Sequence, residues 1–283
     1  QMLPRPLDEY DEYHAIAGPL VQDPRWRVVT PRMLLSHTSG LANFSSLEPD
    51  HQLHLHFSPG TRFAYSGDGL NILQFAIEQS LGEKLERAMD REIFEPLGMS
   101  RTGMVWRPEF DENAALRYDA KNVSLGATHR VRARGAGSMV TTVDDLARFI
   151  TALLADKVLS PATRAEMLRP QTMIHSAHEF PTLDEATGSD GESVGLAYGV
   201  GWGLLTRTPY GPAFFKEGHG DGAENYVICF QQSGTCMILL TNSDNGELAF
   251  RPLLEKLIGD TATPWEWEGY TREQILHNEE HSQ

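Results

Sequence analysis

The clearest hydrophobic period in the chain lies in LNILQFAIEQSLG, where Leu70, Leu73, Ile77 and Leu81 recur at spacings of three and four and Gly82 closes the run. That spacing predicts an amphipathic helix with those four residues facing inward. Before it, PRMLLSH is read as a short helix, with Thr30 as its cap, Pro31 at its first turn and Gly40 as its terminator. EKLERAMDREIFEPLG follows as another helix and stops at Pro96 and Gly98. Residues 104–135 are polar and irregular, with at most short extended pieces such as HRVRA. Helical spacing resumes in TTVDDLARFITALLADKVL, capped by Thr142, and in SPATRAEMLRP, where Ser160 precedes Pro161.

At Leu196 the pattern changes. YGVGWGLLTR, PAFFKEG, NYVICF and TCMILLTN are short β-branched or aromatic runs punctuated by Gly and Asn, the signature of successive antiparallel strands. GELAFRPLLEKLIG then reads as a helix covering one side of that sheet. The organisation expected is a connector over 1–29, where Pro4, Pro6, Pro19 and Pro24 oppose long elements, and a mainly helical subdomain over 30–195 that ends in a polar loop from 171. Strands and their covering helix occupy 196–262, and WEWEGYTREQILHNEEHSQ, within 263–283, forms a peripheral tail.

Composition narrows the function. Of 283 residues 40% are hydrophobic and 22% charged, the balance of a chain that packs a core. The formal net charge of -15 repels phosphate backbones and argues against nucleic acid as a partner. No apolar run approaches the roughly 20 residues of a membrane span, and QMLPRPLDEY has no signal-peptide character. Cys229 and Cys236 bracket a predicted hairpin, FQQSGT; they are read as reduced, half-buried strand residues, with a cross-strand disulfide as the alternative.

Three ordered segments carry chemistry: TPRMLLSHTSGL, SPGTRFAYSGDGLNILQ and DREIFEPLGMSRTGM, continued by GAGSMVTTVDDLARF and LAYGVGWGL. Together they resemble the serine β-lactamase-like superfamily, which includes class C β-lactamases, penicillin-binding proteins and esterase relatives, over nearly the whole chain. The resemblance implies an α+β, β-lactamase/transpeptidase-like fold: an antiparallel sheet flanked by helices, with a helical subdomain and the active site between them. It also implies a site made from a Ser-x-x-Lys helix, a Tyr-x-Asn loop and a Lys-Thr-Gly-type strand.

Tyr65, Ser66 and Gly67 match the second element at its tyrosine, with Gly67 in place of the asparagine. Counting back from the NYVICF and TCMILLTN pair, with the spacing of class C relatives, places Lys216, Glu217 and Gly218 on the third. A competing register starts at His219 but brings Asp221, not glycine, to the third position. The roles implied are acid/base chemistry for Tyr65, its activation by Lys216, and an oxyanion-hole donor in the backbone N–H of His219. Ser66, Gly67, Glu217 and Gly218 would line the substrate. His37, His54 and His56 are given no role, and neither metal nor organic cofactor is implied.

No serine has a lysine three residues on. MLPRPLDEY looks like the segment that follows the nucleophile helix in relatives, so the nucleophile and the first strands are expected upstream of Gln1. The expectation is a serine hydrolase acting through an acyl-enzyme on an ester, a β-lactam or a D-amino-acid peptide, with ester or peptide favoured by the altered Tyr-Ser-Gly element. This chain alone would be inactive, its partners being the substrate and the missing segment. A periplasmic or secreted location follows from the resemblance alone. The alternative is a non-catalytic, penicillin-binding-like scaffold.

Overall fold

A computed structural model describes residues 2–259, 261–271 and 273–275. Its helices are α1 (Gly18–Gln22), α2 (Pro31–Leu35), α3 (Gly67–Leu81), α4 (Leu85–Met89), α5 (Val143–Leu154), α6 (Pro161–Met167), α7 (Phe250–Leu257) and α8 (Trp265–Glu268). The strands are β1 (Arg117–Tyr118), β2 (Ser124–Gly126), β3 (Thr172–Met173), β4 (Leu196–Tyr198), β5 (Gly203–Leu205), β6 (Ala213–Gly220), β7 (Ala223–Phe230) and β8 (Thr235–Leu240). β3 to β8 form one sheet in chain order, every neighbour antiparallel, while β1 and β2 make a separate pair.

Side-chain alternation along the strands sorts the core into two layers. Phe215, Tyr226 and Ile228 lie on one face with Phe250 and Leu254 of α7 and with Trp265, Trp267 and Tyr270. Phe214, Val227 and Cys229 lie on the other, with Ile150 and Leu153 of α5. A third cluster joins Leu3, Leu7, Tyr10 and Leu20 of the proline-rich N-terminal stretch to Leu34 and to Ile72 and Phe75 of α3.

Capping at Thr30, Thr142 and Ser160 works as the sequence indicates, and Ser66, expected to line the substrate, proves to be a cap as well. Thr30, Ser66, Thr142 and Ser160 each accept a hydrogen bond from the backbone N–H three residues on. The Ser66 cap starts α3 at Gly67, earlier than the apolar period suggests, and Gly82 closes it at φ +68°. The buried face of α3 differs from the expected stripe: Gly69, Ile72, Leu73 and Ala76 face inward, while Ile77 and Leu81 are 37% and 52% exposed. Both stripes have helical spacing, and the inward one is fixed by the residues of α2 and the N-terminal stretch that pack on it. α2 ends at Leu35, well before Gly40, with His37 at φ +53°. HRVRA forms no strand.

Two expectations are overturned. Cys229 and Cys236 are direct register partners on β7 and β8, with Cα atoms 4.1 Å apart, and they form a disulfide. The tail is not peripheral either: Trp267 is 1% exposed and its backbone oxygen accepts from Glu179 N–H at 2.9 Å. Its indole N–H reaches Ser176 Oγ at 3.1 Å, so the tail also ties down the loop over 171–194. Residues 276–283 of that tail lie outside the described residues.

Candidate active site

The loop before α3, the end of α2, strand β6 and the loop over 171–194 converge around Tyr65. His37, 1% exposed, accepts at Nδ1 from the backbone N–H of Ser66 at 3.1 Å. A ring nitrogen that accepts carries no proton, so His37 is the neutral Nε2–H tautomer. Burial pushes its pKa well below the usual histidine value, and the nearby Lys216 charge pushes the same way. Its ring stacks on Tyr65 at 4.1 Å between centroids and fixes the phenol. Sequence reasoning gave His37 no role, although it stands inside the LLSHTSGL segment that carried the resemblance.

Lys216 meets Tyr65 directly, with Nζ 4.9 Å from the ring centroid. The attraction of Lys216 alone would lower the phenol's pKa, but burial together with Glu217 and Glu179 outweighs it, and Tyr65 is raised above its ordinary value of 10.0. Of the influences opposing Lys216, burial is the larger, and Glu217, whose Oε1 lies 2.5 Å from Lys216 Nζ, adds to it. Burial disfavours the Lys216 charge, yet Glu217, Tyr198, Tyr65 and Glu179 hold its pKa well above the usual lysine value.

Glu217 is one of three buried carboxyls, with Glu179 and Glu268, whose oxygens lie within 4.8 Å of one another. Both oxygens of Glu179 and of Glu268 lack hydrogen-bond partners. One ammonium cannot balance three charges in a dry site, and the excess is met by protons. Burial first, and then Glu217, raise both Glu179 and Glu268 well above the ordinary carboxyl range, whereas Lys216 keeps Glu217 ionised against its own burial. Neither Glu179 nor Glu268 was singled out in the sequence.

The remaining residues divide. Ser66 is fully buried and its hydroxyl is committed to the fold, donating to Ala42 O at 2.7 Å and accepting from Gly69 N–H at 2.9 Å. Gly67 donates its N–H to Asn43 Oδ1, and a Cβ there would lie 2.3 Å from the Phe44 ring. An asparagine at position 67 would require the Phe44 ring to move, so the glycine fits this packing where the Tyr-x-Asn pattern has a side chain. At Gly218 an added Cβ meets only Asn225 at 3.8 Å, so the strand stays open there.

His219 turns elsewhere. Its Nδ1 is 2.7 Å from Glu247 Oε1 and 3.1 Å from Glu224 Oε2, and its Nε2 is 3.1 Å from the Tyr270 hydroxyl. Phe180 touches both the Tyr65 and the His219 rings, at 5.6 and 6.2 Å. His54 and His56 each pair with one carboxylate, Asp50 and Glu48, and among the described residues they assemble no group of three donors.

An antiparallel sheet with helices on both faces, and a tyrosine loop set against a lysine on an inner strand, define the β-lactamase/transpeptidase-like fold. A D-stereospecific amidohydrolase from a Streptomyces species has a crystal structure that superposes with a TM-score of 0.65 at 18% identity, over 89% of this chain and 80% of that one. Among curated relatives, penicillin-binding protein 4 of Amycolatopsis lactamdurans is 23% identical over 83% of this chain and 65% of its own length. Penicillin-binding protein 4* of Bacillus subtilis is 24% identical over 76% of this chain and 52% of its own. The chain thus spans between half and two thirds of the length of these relatives. The Beta-lactamase family model matches residues 12–260, and the chain belongs to that family.

Proposed function

We propose that this chain is the larger part of a serine hydrolase that works through an acyl-enzyme on the amide or ester of a D-amino-acid derivative. The observation that carries the reading is the approach of the Lys216 ammonium to the Tyr65 ring, over a histidine that stacks the phenol in place. A serine from a segment upstream of Gln1 attacks the substrate carbonyl, and the neutral Tyr65 phenol relays its proton, taking the serine's as it gives its own to the departing nitrogen or oxygen, whose bond to the carbonyl carbon then breaks. Water attacks the resulting ester and frees the acid, with the His219 backbone N–H as one oxyanion donor. The likeness to the D-stereospecific amidohydrolase supports this substrate class.

Intact mass after incubation with a fluorophosphonate or a penicillin tests the reading, on this chain and on the longest natural form of the protein. The expected result is one covalent adduct on the longer form, at an upstream serine, and none on the chain alone. A second reading, a binding scaffold without turnover, is favoured by the raised Tyr65 pKa and by the pairing of Lys216 with Glu217. An unlabelled longer form would put that reading first.

A further inference from the structure

His219, Glu224 and Glu247 form a second polar cluster, apart from the Lys216 pairing. His219 and Glu224 are direct register partners across the β6–β7 hairpin, and Glu247 comes from the 3-10 turn Gly246–Ala249 that precedes α7. Two carboxylate oxygens therefore face one imidazole nitrogen, at 2.7 and 3.1 Å. Nδ1 carries at most one hydrogen, which cannot form two well-directed bonds at once. Glu224 Oε2 and Glu247 Oε1 are correspondingly buried without a well-formed hydrogen bond, and Glu224 as a whole is 8% exposed. Two carboxylates and one imidazole thus converge at the end of a hairpin, with their ligand atoms within 4.8 Å of one another, the arrangement of a three-donor cation site.

We propose that His219 Nδ1, Glu224 Oε2 and Glu247 Oε1 bind a divalent transition-metal ion of the Zn²⁺ type, with water completing four-coordination. One imidazole and two carboxylates are a donor set such ions accept, and bonds of about 2.0–2.2 Å put ligand atoms roughly 3.3 Å apart in a tetrahedron. His219 Nδ1 lies 2.7 and 3.1 Å from the two carboxylate oxygens, inside that spacing, and all three ligand atoms lie within 4.8 Å of one another, so the ion requires the side chains to adjust around it. The outer shell is in place: once Nδ1 binds metal, the Nε2–H points to the Tyr270 hydroxyl, 3.1 Å away, which fixes the tautomer and the ring plane. A cleft of about 420 Å³, lined by Glu247, Arg251 and Tyr270 among others, gives the ion a route in from solvent. Bound metal staples the hairpin that begins just after Gly218 to the turn before α7, and so steadies the strand beside Tyr65. This inference does not depend on the hydrolase reading, since it rests on side chains that the proposed reaction does not use.

The test is a calorimetric titration of the chelator-treated 283-residue chain with Zn²⁺, with Mg²⁺ as control and Co²⁺ as a spectroscopic substitute. Expected are saturable binding of one Zn²⁺ per chain, a rise in Tm on loading, and Co²⁺ absorption of the intense four-coordinate type. Glu247→Gln and Glu224→Gln should each weaken Zn²⁺ at least about tenfold and abolish the Co²⁺ bands. Absence of saturable Zn²⁺ binding, or unchanged affinity in both variants, as with an ion held near His54 and His56, would overturn the site. If a variant fails to fold, the Co²⁺ spectrum of the parent chain still decides: weak six-coordinate bands refute the assignment.

Discussion

Replacing Glu179 by glutamine removes one carboxyl from the buried group beside Lys216 while keeping its shape. Glu179 is 2% exposed, neither of its oxygens has a hydrogen-bond partner, and it is held protonated well above the ordinary value of 4.5 by burial and by Glu217. A carboxyl protonated in the fold and ionised in the unfolded chain makes the native state bind more protons. Its stabilising contribution is complete below pH 4.5 and is lost as pH rises toward the folded-state value. Within that window each such group gives a slope of about 1.4 kcal/mol per pH unit. Glu268 shifts in the same direction, so the pair contributes up to about 2.7 kcal/mol per unit. Glu179→Gln should flatten the fall of stability with pH above 4.5 by up to about 1.4 kcal/mol per unit. Urea unfolding of both proteins at several pH values between about 5 and 7 measures this, and titrations common to both cancel in the difference. Parallel stability curves would show that Glu179 is ionised in the fold and that the proton-sharing account of the three carboxyls is wrong.

Tyr65→Phe keeps the ring stacked on His37 but removes the hydroxyl, and in the longest form that labels with inhibitor it should lower kcat/KM by about 100-fold or more; unchanged turnover would remove Tyr65 from the reaction. Gly67→Asn, which would restore the pattern of relatives, should instead destabilise by about 1–3 kcal/mol because its Cβ meets the Phe44 ring; urea unfolding measures the loss, and an equally stable variant would contradict the packing. Reducing Cys229–Cys236 opens a short loop of sequence separation 7 and should cost about 2.5 kcal/mol in the same assay, with no loss under reductant counting against the bridge.

What the sequence made legible was local. The caps at Thr30, Thr142 and Ser160 lie within three residues of the groups they satisfy, so their chemistry can be read in place, whereas the same role of Ser66 was masked by its match to the tyrosine element. The short β-branched and aromatic runs from Leu196 onward marked the strands, but which side chains go to which face needed the register and the packing of the helices. The inward face of α3 was misread because two stripes of equal spacing compete there, and only the packing of α2 and the N-terminal stretch chooses between them. In the site, Tyr65 and Lys216 were found by the resemblance and lie together, but the carboxyls around them were not. Glu179 sits in a polar loop and Glu268 in a tail where tryptophan and glutamate alternate, and nothing in either context announces burial beside a lysine. Cys229 and Cys236 needed the strand register, which places them opposite one another, before their bond could be assigned.

The inward docking of the C-terminal segment bears on how the molecule can be shortened. A cut after residue 262, where the sequence alone suggests a natural boundary, would delete Trp265, Trp267 and Tyr270 from beneath the sheet and uncover the aromatic rings of Phe215, Tyr226 and Phe250. The same cut would take away Glu268, one of the three carboxyls next to Lys216. Engineering that trims this end therefore alters the buried surroundings of Lys216 and Tyr65, and any change it causes there is not evidence about the residues on the other side of that pair.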